Sequence, residues 1–329
     1  MRNELHTLQI VRGVAAMLVV TNHLLGGAFP NLWGSFFRSN GGFGVDLFFV
    51  LSGFLMVYTQ HEGKSPWAFF RGRVVRIYPL YLILSLPLIL MYISWNNHFE
   101  IIGNFLLLPG FNMATYKLAN GPSWTLVYEM TFYILFSAAL LISRKKTLSA
   151  FLVVSFIVSI LIITNLVGRQ PRVGIVNAGY MLGDTLMLNF AAGCLMALAH
   201  DRLCRIFKIP FWAFAVIFLI TFFIVFNFIK ADRIFLFGVP AMIIIMAASV
   251  TSNSGGFLFK VLHKVGDASY SIYLFHIYFG LVLHQSVITN YGHTTAVQCI
   301  AIICVLMAII SGIFISKTVE KPILQYFKK

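Results

Sequence analysis

A histidine and a carboxylate brought together are the usual means of taking a proton from a hydroxyl. This sequence sets such groups in three separate apolar stretches. His23 lies in LQIVRGVAAMLVVTNH, Asp46 in GGFGVDLFFVLSGF and Glu129 in PSWTLVYEMTFY. An ionisable side chain in such a stretch is costly unless it faces a cavity or a partner, so each is a candidate functional group. The three would lie at similar depth, with His23 as base and Asp46 or Glu129 orienting it. Interhelical hydrogen bonding is the structural alternative for all three. Arg12 precedes His23 on the same stretch. On a helix the pair is about 16 Å apart along the axis and close to three turns apart, so both project from one face.

A second group is basic. FFRGRVVRIYP holds Arg71, Arg73 and Arg76, just before or within the start of an apolar segment. Arg73 and Arg76 are three apart and share a helix face. Guanidinium forks suit phosphate oxygens, and basic residues at a membrane helix end equally suit lipid headgroups. Towards the C-terminus, GDASYSIYLFHIY places Asp267, Ser269 and Ser271 at the start of a helix, with His276 about two turns inside. His276 there binds substrate or bonds a neighbouring helix, and Ser271 is a further candidate substrate contact. Asp184 could pair with an arginine that the sequence does not single out, and His284 and His293 carry no signal.

The elements that must position these groups follow from composition. Hydrophobic residues make up 59% of 329, charged residues 10%, and mean hydropathy is +0.87. A soluble domain carries about 25% charged residues, so this chain has little surface to present to water. A hydrocarbon core about 30 Å thick needs roughly 20 helical residues. Stretches of that kind fall at 7–28, 43–60, 76–94, 122–143, 148–167, 179–200, 208–228, 233–252, 268–289 and 295–316. The expected fold is therefore all-α, a polytopic membrane protein of about ten spans. Glycines 41, 42 and 44 at the start of the second stretch would allow close approach or a sharp turn.

The net charge of +14 would suggest nucleic acid in a soluble protein. Here the basic residues sit between apolar runs, in clusters such as Arg144, Lys145 and Lys146, or Arg202, Arg205 and Lys208. With the N-terminus inside, every inner segment is enriched and the outer ones are sparse, which puts both termini in the cytoplasm. A cationic inner face also suits an anionic cytosolic ligand. Cys194, Cys204, Cys299 and Cys304 have no CxxC spacing and read as packing residues, with no metal site. The first apolar stretch continues past Gly26 and carries Arg12 and His23, unlike a cleavable signal. Segment 101–109 is too short to span. The long connection at about 95–121 is an ordered acceptor-binding loop or a plain connector, and it leads into Ser123 and Trp124, candidate acceptor contacts.

Five stretches in this order, LQIVRGVAAMLVVTNH, GVDLFFVLSGFLM, FFRGRVVRIYPLY, SWTLVYEMTFY and SYSIYLFH, together resemble acyltransferase family 3 of membrane O-acyltransferases. The resemblance runs over about residues 5–320. It implies ten core helices in one transmembrane domain, here 1–329; the soluble C-terminal domain that some members carry is an expected departure. It implies essential roles for Arg12 and His23, for Arg73 and Arg76, and for Glu129. It also implies an acyl donor, often acetyl-coenzyme A, and a hydroxyl of lipopolysaccharide, exopolysaccharide or a related glycan as acceptor. Thr125 stands where serine is commoner.

Joined to the residues, these implications describe coenzyme A phosphates held by Arg73 and Arg76 with help from Arg71. Arg12 would contact the donor, and His23 would activate the acceptor hydroxyl. Direct transfer and a route through acyl-His23 both remain open. A bacterial inner membrane is the expected location. The rival is a proton-coupled transporter, whose relays use the same residue types, although no inverted repeat is visible.

Overall fold

A computed structural model of the protein describes residues 5–61, 63, 65–110, 116–170, 176–227, 232–252 and 256–327. Among these residues the chain is all-helical. In order, the helices are α1 His6–Leu25, α2 Asn31–Tyr58, α3 Pro66–Tyr92, α4 His98–Leu106, α5 Trp124–Ile142, α6 Lys146–Val167, α7 Ala178–Met181 and α8 Leu186–Ile206. There follow α9 Phe211–Asn227, α10 Val239–Ser249, α11 Phe257–Asp267, α12 Ser269–Val282, α13 Thr289–Tyr291, α14 Thr295–Ile315 and α15 Lys321–Tyr326. Three wider π turns continue them. Ile234–Gly238 leads into α10, Leu283–Ile288 joins α12 to α13, and Ser316–Glu320 joins α14 to α15.

Seven described helices are long and apolar enough to cross a membrane: α1, α2, α3, α5, α6, the run from α12 to α13 and the run from α14 to α15. The protein is a multi-pass membrane protein. Helices α9 and α10 are apolar but shorter, at 17 and 11 residues.

Local chemistry moves several boundaries away from the sequence expectation. Helix α3 begins at Pro66, because the Ser65 hydroxyl accepts from the Ala68 N–H at 3.0 Å and proline occupies the first turn. Arg71, Arg73 and Arg76 therefore lie on α3 itself. Helix α2 begins at Asn31 and runs straight through its glycines, which serve close approach rather than a turn. A Cβ on Gly44 would lie 2.6 Å from the Ala15 carbonyl oxygen of α1. Helix α8 begins only at Leu186, whose N–H donates to Asp184 Oδ1 at 3.1 Å. The ninth stretch has a separate helix before it, α11, broken from α12 at Ala268.

The chain divides into two compact units, Met1–Leu51 with Ala199–Lys329, and Ser52–Leu198. In the first, α1 packs on α10, α11, α12 and α14, around a core that includes Val20, Leu24, Ile272 and Leu283. Its tightest crossing is α1 on α11. A Cβ on Gly266 would sit 1.9 Å from the Gln9 carbonyl oxygen, so Gly266→Ala must push the helices apart at a cost of about 1–3 kcal/mol. We expect a clear fall in thermal midpoint in detergent. Gly72→Ala, where a Cβ meets nothing within 4 Å, should leave it unchanged or slightly raised.

In the second unit, α5 packs on α3 and α6, and Phe132 stacks on Phe190 at 4.2 Å. The described part of the long connection is tied down. The Asn104 side chain donates to the Glu100 and Lys117 carbonyls and accepts from the Ala119 N–H. Asn120 donates to Ser85 at 3.1 Å, and Gly110 exchanges backbone bonds with Val176 and Ala178. Burial raises the Tyr116 phenol above its ordinary pKa, so it stays a donor to the Leu108 carbonyl. Residues 111–115 of the connection lie outside the described ones.

Candidate active site

Each unit carries a polar cluster built around one of the expected catalytic residues, His23 in the first and Glu129 in the second. In the first, His23 Nδ1 on α1 lies 2.8 Å from His276 Nε2 on α12, and the two rings are nearly parallel at 4°. His276 is fully buried. Its buried Nδ1 has no hydrogen-bond partner among the described residues. A third histidine joins them: His284 Nε2 lies 2.9 Å from the His23 backbone oxygen. A carbonyl only accepts, so that nitrogen carries its proton. Arg12 is half-buried and donates to Gln9 Oε1 at 3.2 Å.

The sequence offers Asp46 or Glu129 as the group that orients His23, and in the structure Asp46 pairs with Arg233. Its Oδ2 takes two bonds from Arg233, Nε at 3.1 Å and Nη2 at 2.7 Å. The carboxylate is wholly shielded from solvent, and a buried charge of that kind needs an opposite charge at contact. Arg233 also reaches the Gly42 carbonyl at 3.4 Å. Ser271, expected at substrate, donates instead to Glu320 Oε2 at 2.6 Å, both residues being buried. Asp267 sits 3.8 Å from Lys321 Nζ and 3.7 Å from His263 Nδ1.

The second cluster centres on Glu129. Its Oε1 accepts from Ser52 Oγ at 3.2 Å and from the Tyr133 hydroxyl one turn along α5. The Tyr133 ring is also one of two that flank Arg73, whose Cζ lies 5.6 Å from its centroid and 5.2 Å from that of Phe69. Arg73 Nη2 donates to Thr59 Oγ1 at 3.3 Å. Arg76 is half-buried and Arg71 exposed. Sequence reasoning missed Tyr133, although its place four residues after Glu129 puts the two on one helix face.

At the start of α5, Ser123 is buried and Trp124 packs edge-on against Tyr128, centroids 5.5 Å apart. Tyr128 donates to Asp184 Oδ2 at 3.2 Å, and Arg169 Nη2 lies 3.5 Å from the same oxygen. Arg169 lies over the Tyr180 ring at 4.0 Å. This is the arginine partner that the sequence left unnamed for Asp184. Among the described residues no group of three His, Cys, Asp or Glu side chains is arranged to hold a metal ion.

The first cluster can hold one imidazole in a fixed tautomer, and the second holds a carboxylate and an arginine on the two ends of one tyrosine. Residues 5–317 match the family described as Acyltransferase domain. Exopolysaccharide production protein ExoZ of Rhizobium meliloti (strain 1021) is 26% identical over 264 residues, 72% of this chain and 76% of that protein. Acyltransferase MdmB of Streptomyces mycarofaciens is 29% identical over 118 residues, 32% of this chain and 30% of that protein. No solved structure matches the chain. With the family match spanning nearly all of a multi-pass helical membrane protein, the chain belongs to this acyltransferase family and is a membrane acyltransferase.

Proposed function

We propose that the protein moves an acyl group, acetyl in the simplest case, from cytosolic acyl-coenzyme A to a hydroxyl of an envelope or exported glycan or glycolipid. It does so in a bacterial cytoplasmic membrane that it crosses ten times, with both termini inside. The observation that carries this reading is the His23–His276 pair, half-buried at His23 and buried at His276. An imidazole held by a second imidazole has one nitrogen committed and the other available as a base. A relative named for exopolysaccharide production supports a glycan acceptor.

In this mechanism His276 keeps its proton on Nδ1 and accepts at Nε2 from His23 Nδ1. His23 Nε2 then takes the proton of the acceptor hydroxyl while that oxygen attacks the thioester carbonyl carbon. As the tetrahedral intermediate collapses, the carbon–sulfur bond breaks. The leaving thiolate takes the proton back from His23, so the products are an ester and coenzyme A thiol. Arg73 and Arg76, helped by Arg71, hold the donor phosphates, and Arg12 lines the donor path. Glu129 offers its remaining oxygen to the acceptor, and Trp124 and Ser123 border the acceptor site.

The test is release of free coenzyme A by purified protein in detergent, given acetyl-coenzyme A and an envelope glycan extract. Release that requires the extract is expected. Failure both to release and to bind coenzyme A would overturn the reading in favour of a transporter. His276 gives a finer check. His276→Leu should lower the rate about a hundredfold, whereas His276→Gln, which keeps an acceptor for His23 Nδ1–H, should cost less than about tenfold.

A further inference from the structure

Tyr133 touches both halves of the second cluster, and nothing in the mechanism above uses it. Its hydroxyl donates to Glu129 Oε1, the oxygen that also takes the Ser52 hydroxyl at 3.2 Å. Its ring carries the Arg73 guanidinium, with Phe69 as the second aromatic surface. The side chain is buried, and Phe69 packs against it edge-on at 6.4 Å, so it has little freedom to turn. A rigid phenol thus fixes the orientation of a carboxylate at one end and the position of a cation on its face.

We propose that Tyr133 is a positioning residue that serves both substrates, through two separable parts of one side chain. The hydroxyl fixes Glu129 for the acceptor step. The ring holds Arg73 where it meets the phosphates of the donor. A hydrogen bond to a charged group and a cation–π contact are each strong enough to be felt alone. The inference rests on the reading of Arg73 as a donor-phosphate residue and of Glu129 as an acceptor residue.

The two parts can be removed one at a time. Tyr133→Phe deletes the hydroxyl and keeps the ring, and Tyr133→Leu deletes both. Steady-state transfer from acetyl-coenzyme A and equilibrium binding of coenzyme A are measured on purified protein in detergent. For Tyr133→Phe, kcat should fall about tenfold while the Kd for coenzyme A moves less than about twofold. For Tyr133→Leu, kcat should fall as far and the Kd should also rise about fivefold. A Tyr133→Phe variant with wild-type kcat, or a Tyr133→Leu variant with wild-type affinity, overturns the proposal.

Should Tyr133→Leu not fold, a double-mutant cycle with Glu129→Gln decides. Tyr133→Phe should add less than about twofold to the loss caused by Glu129→Gln, and a full additive loss refutes a role through Glu129. A wild type that neither turns over nor binds coenzyme A refutes the functional reading itself. A wild type that does both, alongside an unaffected Tyr133→Phe, refutes this inference alone.

Discussion

His23→Ala should lower acyl transfer by about a thousandfold or more, with coenzyme A binding retained. A positioned general base supplies about 10²–10⁴ of rate. Here its loss removes the acceptor of the hydroxyl proton and the donor that returns it to the leaving sulfur. The fold should tolerate the change. Alanine keeps α1 helical, and His276 loses one neutral hydrogen bond, worth about 1 kcal/mol. Coenzyme A release in a single turnover, beside equilibrium binding of coenzyme A, is the measurement. A variant that keeps more than about a tenth of the rate would show that His23 is not the base.

Arg233→Met should be the most destabilising single change near the site, at about 3 kcal/mol or more. It removes the guanidinium that makes two bonds to Asp46, whose carboxylate is wholly shielded from solvent. Asp46→Asn should cost distinctly less, because the amide is neutral and its oxygen can still accept from Arg233. Pairing Arg233→Met with Asp46→Asn should then recover part of the loss, since the uncompensated charge is gone. Thermal midpoints of the three variants in one detergent test this. Equal loss from Arg233→Met alone and from the pair would mean that packing, not charge, sets the cost.

The two predictions bear on different levels of the molecule, and the sequence foretold them unequally. Arg12 and His23 could be placed on one face because helical periodicity is local and both stand on the same stretch. The partner of His23 could not be so placed. His276 lies 253 positions away, and the sequence identified it only as a buried histidine with two possible uses. Depth alone puts Asp46 or Glu129 level with His23, and depth does not say which side of a helix faces which neighbour. Arg233 carries no signal in the sequence that points to Asp46, the buried carboxylate 187 positions away with which it pairs.

Other differences were legible but carried by signals that apolarity masks. Ser65–Pro66 marks the start of α3 by capping, yet the hydropathy of the stretch suggested a start near 76. Glycines 41, 42 and 44 left close approach and a sharp turn open, and the structure uses Gly44 for close approach at a helix crossing. Tyr133 stood one turn from Glu129 in plain view, but tyrosines are common in such helices and spacing alone does not separate a contact from packing. Each expected stretch overlaps a described helix, and seven helical runs among the described residues are both long and apolar enough to span.

The three π turns give these helices a constraint of another kind. One precedes α10 and directly follows Arg233, one contains His284, and one ends at Glu320. A π turn holds one residue more than an α turn, so everything beyond it is rotated by roughly 100° about the helix axis. The polar groups here are therefore aimed by residue count as well as by residue identity. A chain of this kind can drift freely in which apolar side chain it shows to lipid. It cannot easily gain or lose a residue at those turns without swinging the helix face beyond them out of phase.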